Sequence, residues 1–479
     1  MILHIVKKEI LRAFLSLRFP VTLILVTAVM ISGTLLFIED YKQQLSDYSR
    51  NVYNNLQRLS ELADDAGWQA IYRALSWNAQ SLYRTPTRLA FLAEGHEREL
   101  PNTFEVSPFR IMGPTKKLRG NCLLQKFDSL DWAFIVSVIM SFAAIVLVYD
   151  SISGERENGT LRLSMSNPVP RSTVILGKYL GILIVLMIPL LFGMLSSVII
   201  LSISEEITIV GMDWIRIAAM TPLSMLYLSI FVMLGLFVSS LFRSSSASLV
   251  VLLLVWVVIV IVIPNVGGTI VTGLSELPGE DFIDQYSWTK LSNAFYAYNE
   301  RHPNASKWHQ KGWAYGQDLA RALEAWDALM QVYDSYWDRM LTQVQSGYNV
   351  ARISPYVAYQ RIVEAVAGSG IDHCESFLQQ VRQYKHTLRL FLLDHYPLDI
   401  YRPHGVGRSG TEAMEKDPEL VKALKSRLFT SADIPKFQDD PRPIEDSVTS
   451  SLWNIAILFA FNAVFFMAAY VCFLCRDIK

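Results

Sequence analysis

The chain has 479 residues, of which 52% are hydrophobic and 18% charged, and its mean hydropathy is +0.27. That balance excludes an ordinary soluble domain and describes a polytopic membrane chain that also carries soluble parts. A net charge of -1 provides no global basic field, which argues against nucleic acid as a partner, and four cysteines do not make a disulfide scaffold.

The chain opens on a basic arm. Val6, Ile10, Ala13, Phe14 and Leu17 fall on one helical face and His4, Lys8 and Arg12 on the other, which predicts an amphipathic helix over 1–18 in the lipid interface. Pro20 marks a bend into the first apolar span, 19–38; an arm continuous with that span is the alternative. No small-x-small site follows at Leu36-Phe37-Ile38-Glu39, so the span reads as retained rather than cleaved. Further apolar runs lie at 132–149, 174–203 (with Pro189 inside), 215–242, 249–263 and 452–474. A bilayer core takes about 20 apolar residues of helix, and a helix satisfies its own backbone in lipid. The fifth run is short and can start earlier, through Ser244–Ser248. The fold class expected is a polytopic α-helical membrane protein with six transmembrane helices and two large, mainly helical insertions, 39–131 and 264–451.

Short connections set the orientation. Lys7, Lys8, Arg12 and Arg18 in the arm, Arg156, Arg162, Arg171 and Lys178 after the second span, Arg243 after the fourth and Arg476 and Lys479 at the end share one side. The opposite short loop, Ser204–Trp214, carries Glu205, Glu206 and Asp213 but no Lys or Arg. Both termini are therefore expected in the cytoplasm, with the insertions outside.

In the first insertion, Tyr41–Ala63 continues the first span as a helix, Trp68–Tyr83 reads as a second helix, Arg84–Gly95 as extended or turn structure around Pro86, and Leu118–Leu130 leads back to the membrane. The second opens on a helix stop at Pro264-Asn-Val-Gly-Gly268. Helical patterns follow over Trp288–Tyr348, Tyr356–Ala367 and Cys374–His395, then a Pro- and Gly-rich loop with a short helix near Pro418–Leu428. The two insertions are expected to pack together, with the aromatic residues of Trp288–Trp337 in their core.

Chemistry-bearing patterns are sparse. Cys122 and Cys374 fall one in each insertion and are a candidate disulfide; two free thiols are the alternative. Cys472 and Cys475 form a CxxC with no second pair or flanking histidine and read as packed or lipid-facing thiols. Asp372-His373-Cys374 reads as a surface triplet, and Glu280, Asp281 and Asp284 as a solvated acidic turn. There is no GxxxxGK[ST] loop, GxSxG or HExxH, so no catalytic site, metal or bound cofactor is expected in this chain. Ionisable groups in the spans stand at their ends, where Lys178 and Arg216 can snorkel.

The most informative stretch is the polar insert 150–173. Gly154 and Gly159 flank Glu155-Arg156-Glu157, Thr160 can N-cap a new helix, and Leu161, Leu163 and Met165 offer apolar knobs to a partner. Pro168 and Pro170 end that helix, and Ser172 caps the third span.

Glu155-Arg156-Glu157-Asn158-Gly159-Thr160-Leu161, followed by Arg171-Ser172 and Gly177-Lys178, resembles the first cytoplasmic loop of ABC-2 type transporter permease subunits. Gly235–Ser245 looks like the end of that family's fourth span, and Phe473–Lys479 fits its ending. Arg84-x-Pro86 through Gly95, with the large second insertion, resembles the DUF3526-containing branch, akin to gliding-motility-type permeases. The resemblance implies an ABC-2 (type V exporter-like) fold in a bacterial inner membrane. It implies dimerisation with a second copy or a paralogue, and two cytosolic ATPase subunits that carry the ATP and Mg. Gly154, Glu155, Arg156, Glu157, Gly159, Thr160, Leu161, Leu163 and Met165 would then couple to the ATPase, with the amphipathic arm as the elbow helix nearby. Simple members have short outer loops. The two large insertions here leave two functions open: ATP-driven export or extraction of a substrate, and transmission of ATPase motion to an envelope protein without translocation.

Overall fold

The computed structural model describes residues 2–64, 79–95, 101–113, 130–161, 170–266, 277–303, 315–395, 432–440 and 444–475. Among them six helices are long and apolar enough to cross a membrane: Arg18–Arg58, Trp132–Glu157, Arg171–Ile203, Gly211–Leu241, Ser245–Val266 and Ser451–Cys475. The protein is a polytopic α-helical membrane protein.

The arm forms α1 (Ile2–Phe14). A bend over 15–17 separates it from α2 (Arg18–Asp64), so the break falls before Pro20 rather than at it. Pro20 sits in the first turn of α2, where its missing N–H leaves no helical bond unmade. α2 runs 47 residues without interruption, about 70 Å at 1.5 Å per residue. One stripe of it is engaged throughout. Ser197 Oγ donates to Met30 O at 3.4 Å, Phe37 meets Phe91 at 5.6 Å, Asn55 Oδ1 accepts from Ser81 N at 3.3 Å, and Arg58 donates to Ala79 O at 2.7 Å.

The second span is α3 (132–148), α-helical at Trp132–Phe134 and Ser141–Val148 with a π-helical stretch Ile135–Met140 between. A short helix, α4 (Ser153–Glu157), follows, then α5 (Arg171–Ile203), α6 (Gly211–Leu241) and α7 (Ser245–Val266). α5 begins at Arg171 behind an extended Pro170 with no side-chain cap, so Ser172 does not cap it. Ser244 does cap α7, accepting from Ala247 N at 3.2 Å. α7 runs past Pro264 to Val266, the last described residue there, within the Pro264–Gly268 stretch read as its stop. The helix slips to π-helical over Val258–Val262 just ahead of the proline, with Ile263 N–H on Val258 O. Ile259 O, next in that register and facing the proline's missing N–H, accepts from Ser354 Oγ at 2.6 Å, and Asn265 Nδ2 donates to Ile261 O at 2.8 Å.

α6 is the centre of the bundle, with Tyr227, Leu228, Ile230, Phe231 and Val232 fully buried. It packs against α3, α5 and the last span, α12 (Ile444–Cys475). A Cβ at Gly235 would overlap Val148, so α3 and α6 approach closely there.

The insertions contribute β1 (Gln80–Tyr83), β2 (Thr103–Val106), β3 (Ile111–Met112), α8 (Glu280–Arg301), α9 (Tyr315–Ala351), α10 (Pro355–Ala367) and α11 (Gly370–His395). The strands form one antiparallel sheet in the order β1-β2-β3, with Gln80 opposite Val106 and Glu105 opposite Met112. Gln80–Tyr83 is thus a strand, not the end of a helix over 68–83. Gln80 and Leu82 are buried and Ser81 and Tyr83 half-buried, the period of two that a sheet on a core imposes. Residues 65–78 and 114–129, and with them most of that helix, the Leu118–Leu130 segment and Cys122, lie outside the described residues. So does the short helix near Pro418–Leu428. Leu82, Phe104 and Val106 share a core with Trp326, Trp337, Phe377 and Val381, so the two insertions build one unit. The helix read over Trp288–Tyr348 is two, α8 and α9. Asp281 and Asp284 lie in the start of α8 rather than in a turn, both exposed as a solvated cluster is, and Asp284 also accepts from the Tyr333 hydroxyl at 2.6 Å.

α10 departs most from the sequence reading. It packs on α6, α12 and the π-helical part of α7, within the same apolar core as the spans. Tyr359 stacks on Tyr227 at 4.5 Å and shares a 2.8 Å hydrogen bond with Ser224, while Ser354 Oγ donates to Ile259 O at 2.6 Å. α10 is therefore supplied by an insertion yet seated against the bundle. Arg361 at its polar end pairs with Asp372 at 2.8 Å and Glu364 at 3.5 Å. His373 and Cys374 are buried, so Asp372-His373-Cys374 is a packed corner rather than a surface triplet.

Asp131 joins this corner to α3. Its carboxyl accepts from Phe134 N at 2.7 Å and from Glu94 N at 2.8 Å. Burial pushes it up to about 7, against the two backbone bonds and with help from the Glu94 and Glu364 charges. The folded chain then holds a proton that the unfolded chain releases, so stability falls as pH rises from about 4 to about 7. Asp131→Asn retains a cap oxygen and is expected to flatten the melting-temperature profile of the purified protein in that window; an unaltered slope refutes the assignment. Gly235→Val is expected to cost about 1–3 kcal/mol through overpacking against Val148, read as a lower melting temperature. Gly211→Ala, in open space, is the control.

Candidate functional site

The polar insert after α3 is the junction of the bundle's elbow end. Glu155, Arg156 and Glu157 each hold a different helix. Glu155 accepts from Lys8 of α1 at 2.9 Å and lies 3.1 Å from Lys178 of α5. Arg156 donates to Ser240 O at 3.3 Å and Phe242 O at 3.2 Å, placing its charge on the C-terminal carbonyls of α6, where the helix dipole favours a cation. Glu157 accepts from Ser245 N at 3.1 Å and Ser245 Oγ at 2.8 Å, which puts an anion on the N-terminus of α7. Ahead of them Ser239 Oγ of α6 accepts from the backbone N–H groups of Ile152 and Ser153, both at 3.0 Å. Arg171 does for α12 what Arg156 does for α6, donating to Leu474 O at 2.6 Å and Phe473 O at 3.2 Å.

The core of the junction is a buried ammonium. Lys178 does not snorkel: only 2% of its side chain is exposed, and it donates to Glu9 at 2.6 Å and to Ser151 O at 2.9 Å. Glycines let α1 lie this close to α5. A Cβ on Gly177 would sit 2.7 Å from Ile5, and one on Gly181 2.8 Å from Glu9 Cβ. The buried face of α1 is therefore Val6 and Glu9, while Phe14 and Leu17, read with Val6 as one interfacial apolar face, are exposed. Next along, Asp150 lies 3.3 Å from Arg12 and 3.0 Å from Arg18, and Arg18 also donates to the Tyr149 hydroxyl at 2.7 Å.

The insert residues divide accordingly. Gly154 is buried inside α4, where a Cβ would sit tightly, 3.2 Å from Asp150 Cβ. Gly159 has φ +71°, the left-handed conformation that ends a helix, and no neighbour within reach of a Cβ. Thr160 and Leu161 open a second helical stretch after the Gly159 break, Thr160 donates to Glu155 O at 3.2 Å, and the rest of the helix read over 161–166 lies outside the described residues. Leu161 is 2% exposed and belongs to the bundle core, so it is not a knob offered outward. Asn158, Gly159 and Thr160 form the exposed crest. Leu163 and Met165 lie outside the described residues, as does the pairing of Cys122 with Cys374. Glu9, Asp150 and Ser239 escaped sequence reading. The available signal was a lone acid in a basic arm and a lysine inside an apolar run, each needing a counter-charge.

Removing one member of a buried pair strands the other. Lys178→Met is expected to cost about 3–5 kcal/mol and to open the 15–17 bend to protease. Adding Glu9→Leu should recover part of that loss, and no recovery in the double variant would show that the pair is not the source.

Residues 3–478 match the model of the family described as ABC-2 family transporter protein. The chain is 38% identical over 61 residues to the probable ABC transporter permease protein NosY of Stutzerimonas stutzeri, covering 13% of this chain and 22% of the relative. It is 38% identical over 63 residues to the protein of the same description from Pseudomonas aeruginosa, covering 13% and 23%. The chain thus spans less than a quarter of the length of these curated relatives. The family match extends over nearly the whole sequence, through all six candidate spans, and the chain belongs to the ABC-2 transporter family.

Proposed function

We propose that this chain is the permease subunit of an ATP-driven ABC transporter, exporting or extracting a substrate. Hydrolysis belongs to separate cytosolic ATPase subunits, which bind the ATP and Mg, and the chain itself is not an enzyme. It dimerises with a second copy or a paralogue. The elbow end, with α1, α4 and both chain termini, faces the cytoplasm of a bacterial cell, and the unit built by the two insertions stands outside the inner membrane. Within the family, the Arg84–Gly95 segment and the large second insertion support the DUF3526-containing branch.

The observation that carries this reading is the junction at Glu155–Glu157. Three consecutive side chains hold α1 with α5, α6 and α7, and the crest they support, Asn158–Thr160, is exposed. A push on that crest reaches four helices at once. The crest, together with Leu163 and Met165, receives the ATPase, while Gly154, Glu155, Arg156, Glu157 and Leu161 pass the displacement into the bundle.

Asn158→Cys and Thr160→Cys are expected to cross-link to the co-expressed ATPase. Gly159→Pro is expected to abolish stimulation of ATP hydrolysis while leaving the amount of membrane-inserted protein unchanged. No cross-link, with full stimulation in Gly159→Pro, would falsify the coupling role.

A further inference from the structure

The elbow end carries more positive charge than its own carboxylates neutralise. Lys8, Arg12, Arg18 and Lys178 share three carboxylates, Glu9, Asp150 and Glu155. Lys7 stands exposed beside them with no ion pair among the described residues. Lys8 and Arg12 keep 54% and 38% of their side chains open although each is paired. Both turn toward a surface hollow of about 600 Å³ lined also by His4, Lys7, Leu11, Leu15 and Ser16.

The same hollow is apolar at one end. Leu15 is 87% exposed and Leu11 half exposed, with Leu3 and Leu17 bare nearby. α2 enters its membrane-crossing stretch at Arg18, immediately after Leu17, so chain continuity holds these leucines at the lipid boundary. A cationic rim beside bare leucines, at the level where headgroup meets acyl chain, matches an amphiphile with an anionic head. An acidic protein surface would satisfy the cations but leave the leucines in water.

We propose that the elbow hollow binds an anionic phospholipid, its phosphate between Lys7, Lys8 and Arg12 and its acyl chains along Leu11 and Leu15. Because Lys8 and Arg12 also hold Glu155 and Asp150, an occupied hollow steadies the attachment of α1 to the insert that follows α3. The site rests on the membrane position of α1 and does not require the ATPase reading.

The test uses the full chain, purified in detergent, with phosphatidylglycerol and phosphatidylcholine retention measured by native mass spectrometry. Lys7→Gln and Leu15→Gln touch the hollow without touching an ion pair, so both should fold, which melting temperatures check. Wild type is expected to retain phosphatidylglycerol in preference, and Lys7→Gln to lower that preference about fivefold, the scale of one basic residue at an anionic surface. Leu15→Gln should weaken retention of both lipids. Equal preference in wild type and Lys7→Gln overturns the proposal. So does displacement of the lipid by glycerol phosphate at equal concentration, which would mark a headgroup-only anion site. Protection of Lys7 from acylation only on adding the cytosolic ATPase, with no lipid preference, would assign the hollow to protein and equally overturn it.

Discussion

The arrangement of the elbow end depends on one buried charge. Lys178 lies within an otherwise apolar helix, and burying an ammonium costs several kcal/mol unless geometry and hydrogen bonds compensate. Glu9 and Glu155 supply that compensation from two other segments, and Ser151 O supplies a third acceptor. α1 cannot lift from α5 without stranding both charges, and the insert cannot move from either without loosening the pair. The glycines at 177 and 181 bring the backbones close enough for the contact. Helix approach and charge burial thus depend on each other, and the elbow, the insert and the third span act as one piece.

Much of the architecture is legible in the sequence because lipid is a demanding solvent. Runs such as 215–242 and 452–474 have no way to satisfy their backbone except as helices, and the structure places a helix at each. The insert at Glu155–Leu161 also stands out, through its charges and glycines. Its inner workings do not. Whether Leu161 faces in or out depends on the left-handed turn at Gly159, and whether Lys178 snorkels depends on Glu9, 169 residues away in sequence. Periodicity over a single arm cannot tell a lipid-facing leucine from a core leucine. Val6 and Glu9 of α1 face the bundle, while Phe14 and Leu17, which share the apolar pattern with Val6, stay exposed as an interfacial face does.

The insertions show the same limit in another form. α10 is as buried as the spans and about half their length, so length alone does not place it among them. Its place in the bundle follows from Tyr359 against Tyr227 and Ser354 on Ile259, contacts made across 132 and 95 positions of sequence between partners that no local pattern connects. The unit built by the insertions, outer only in lying beyond the bundle, therefore reaches into the bundle through α10, just as the bundle reaches toward that unit through α2.

That second reach has a geometric consequence. α2 is engaged by the bundle near Met30 and by the outer sheet near Asn55 and Arg58, with no break between. An α-helix turns about 100° with each residue, so the azimuth at which the sheet meets α2 is fixed by the number of residues between those contacts. A change of one residue would swing the outer unit roughly a quarter-turn about the rod, whereas a change of a whole turn would keep its bearing and alter only its height, by about 5 Å. The length of α2 is in that sense quantised, and the outer unit stands above the bundle at a set compass heading as well as a set distance.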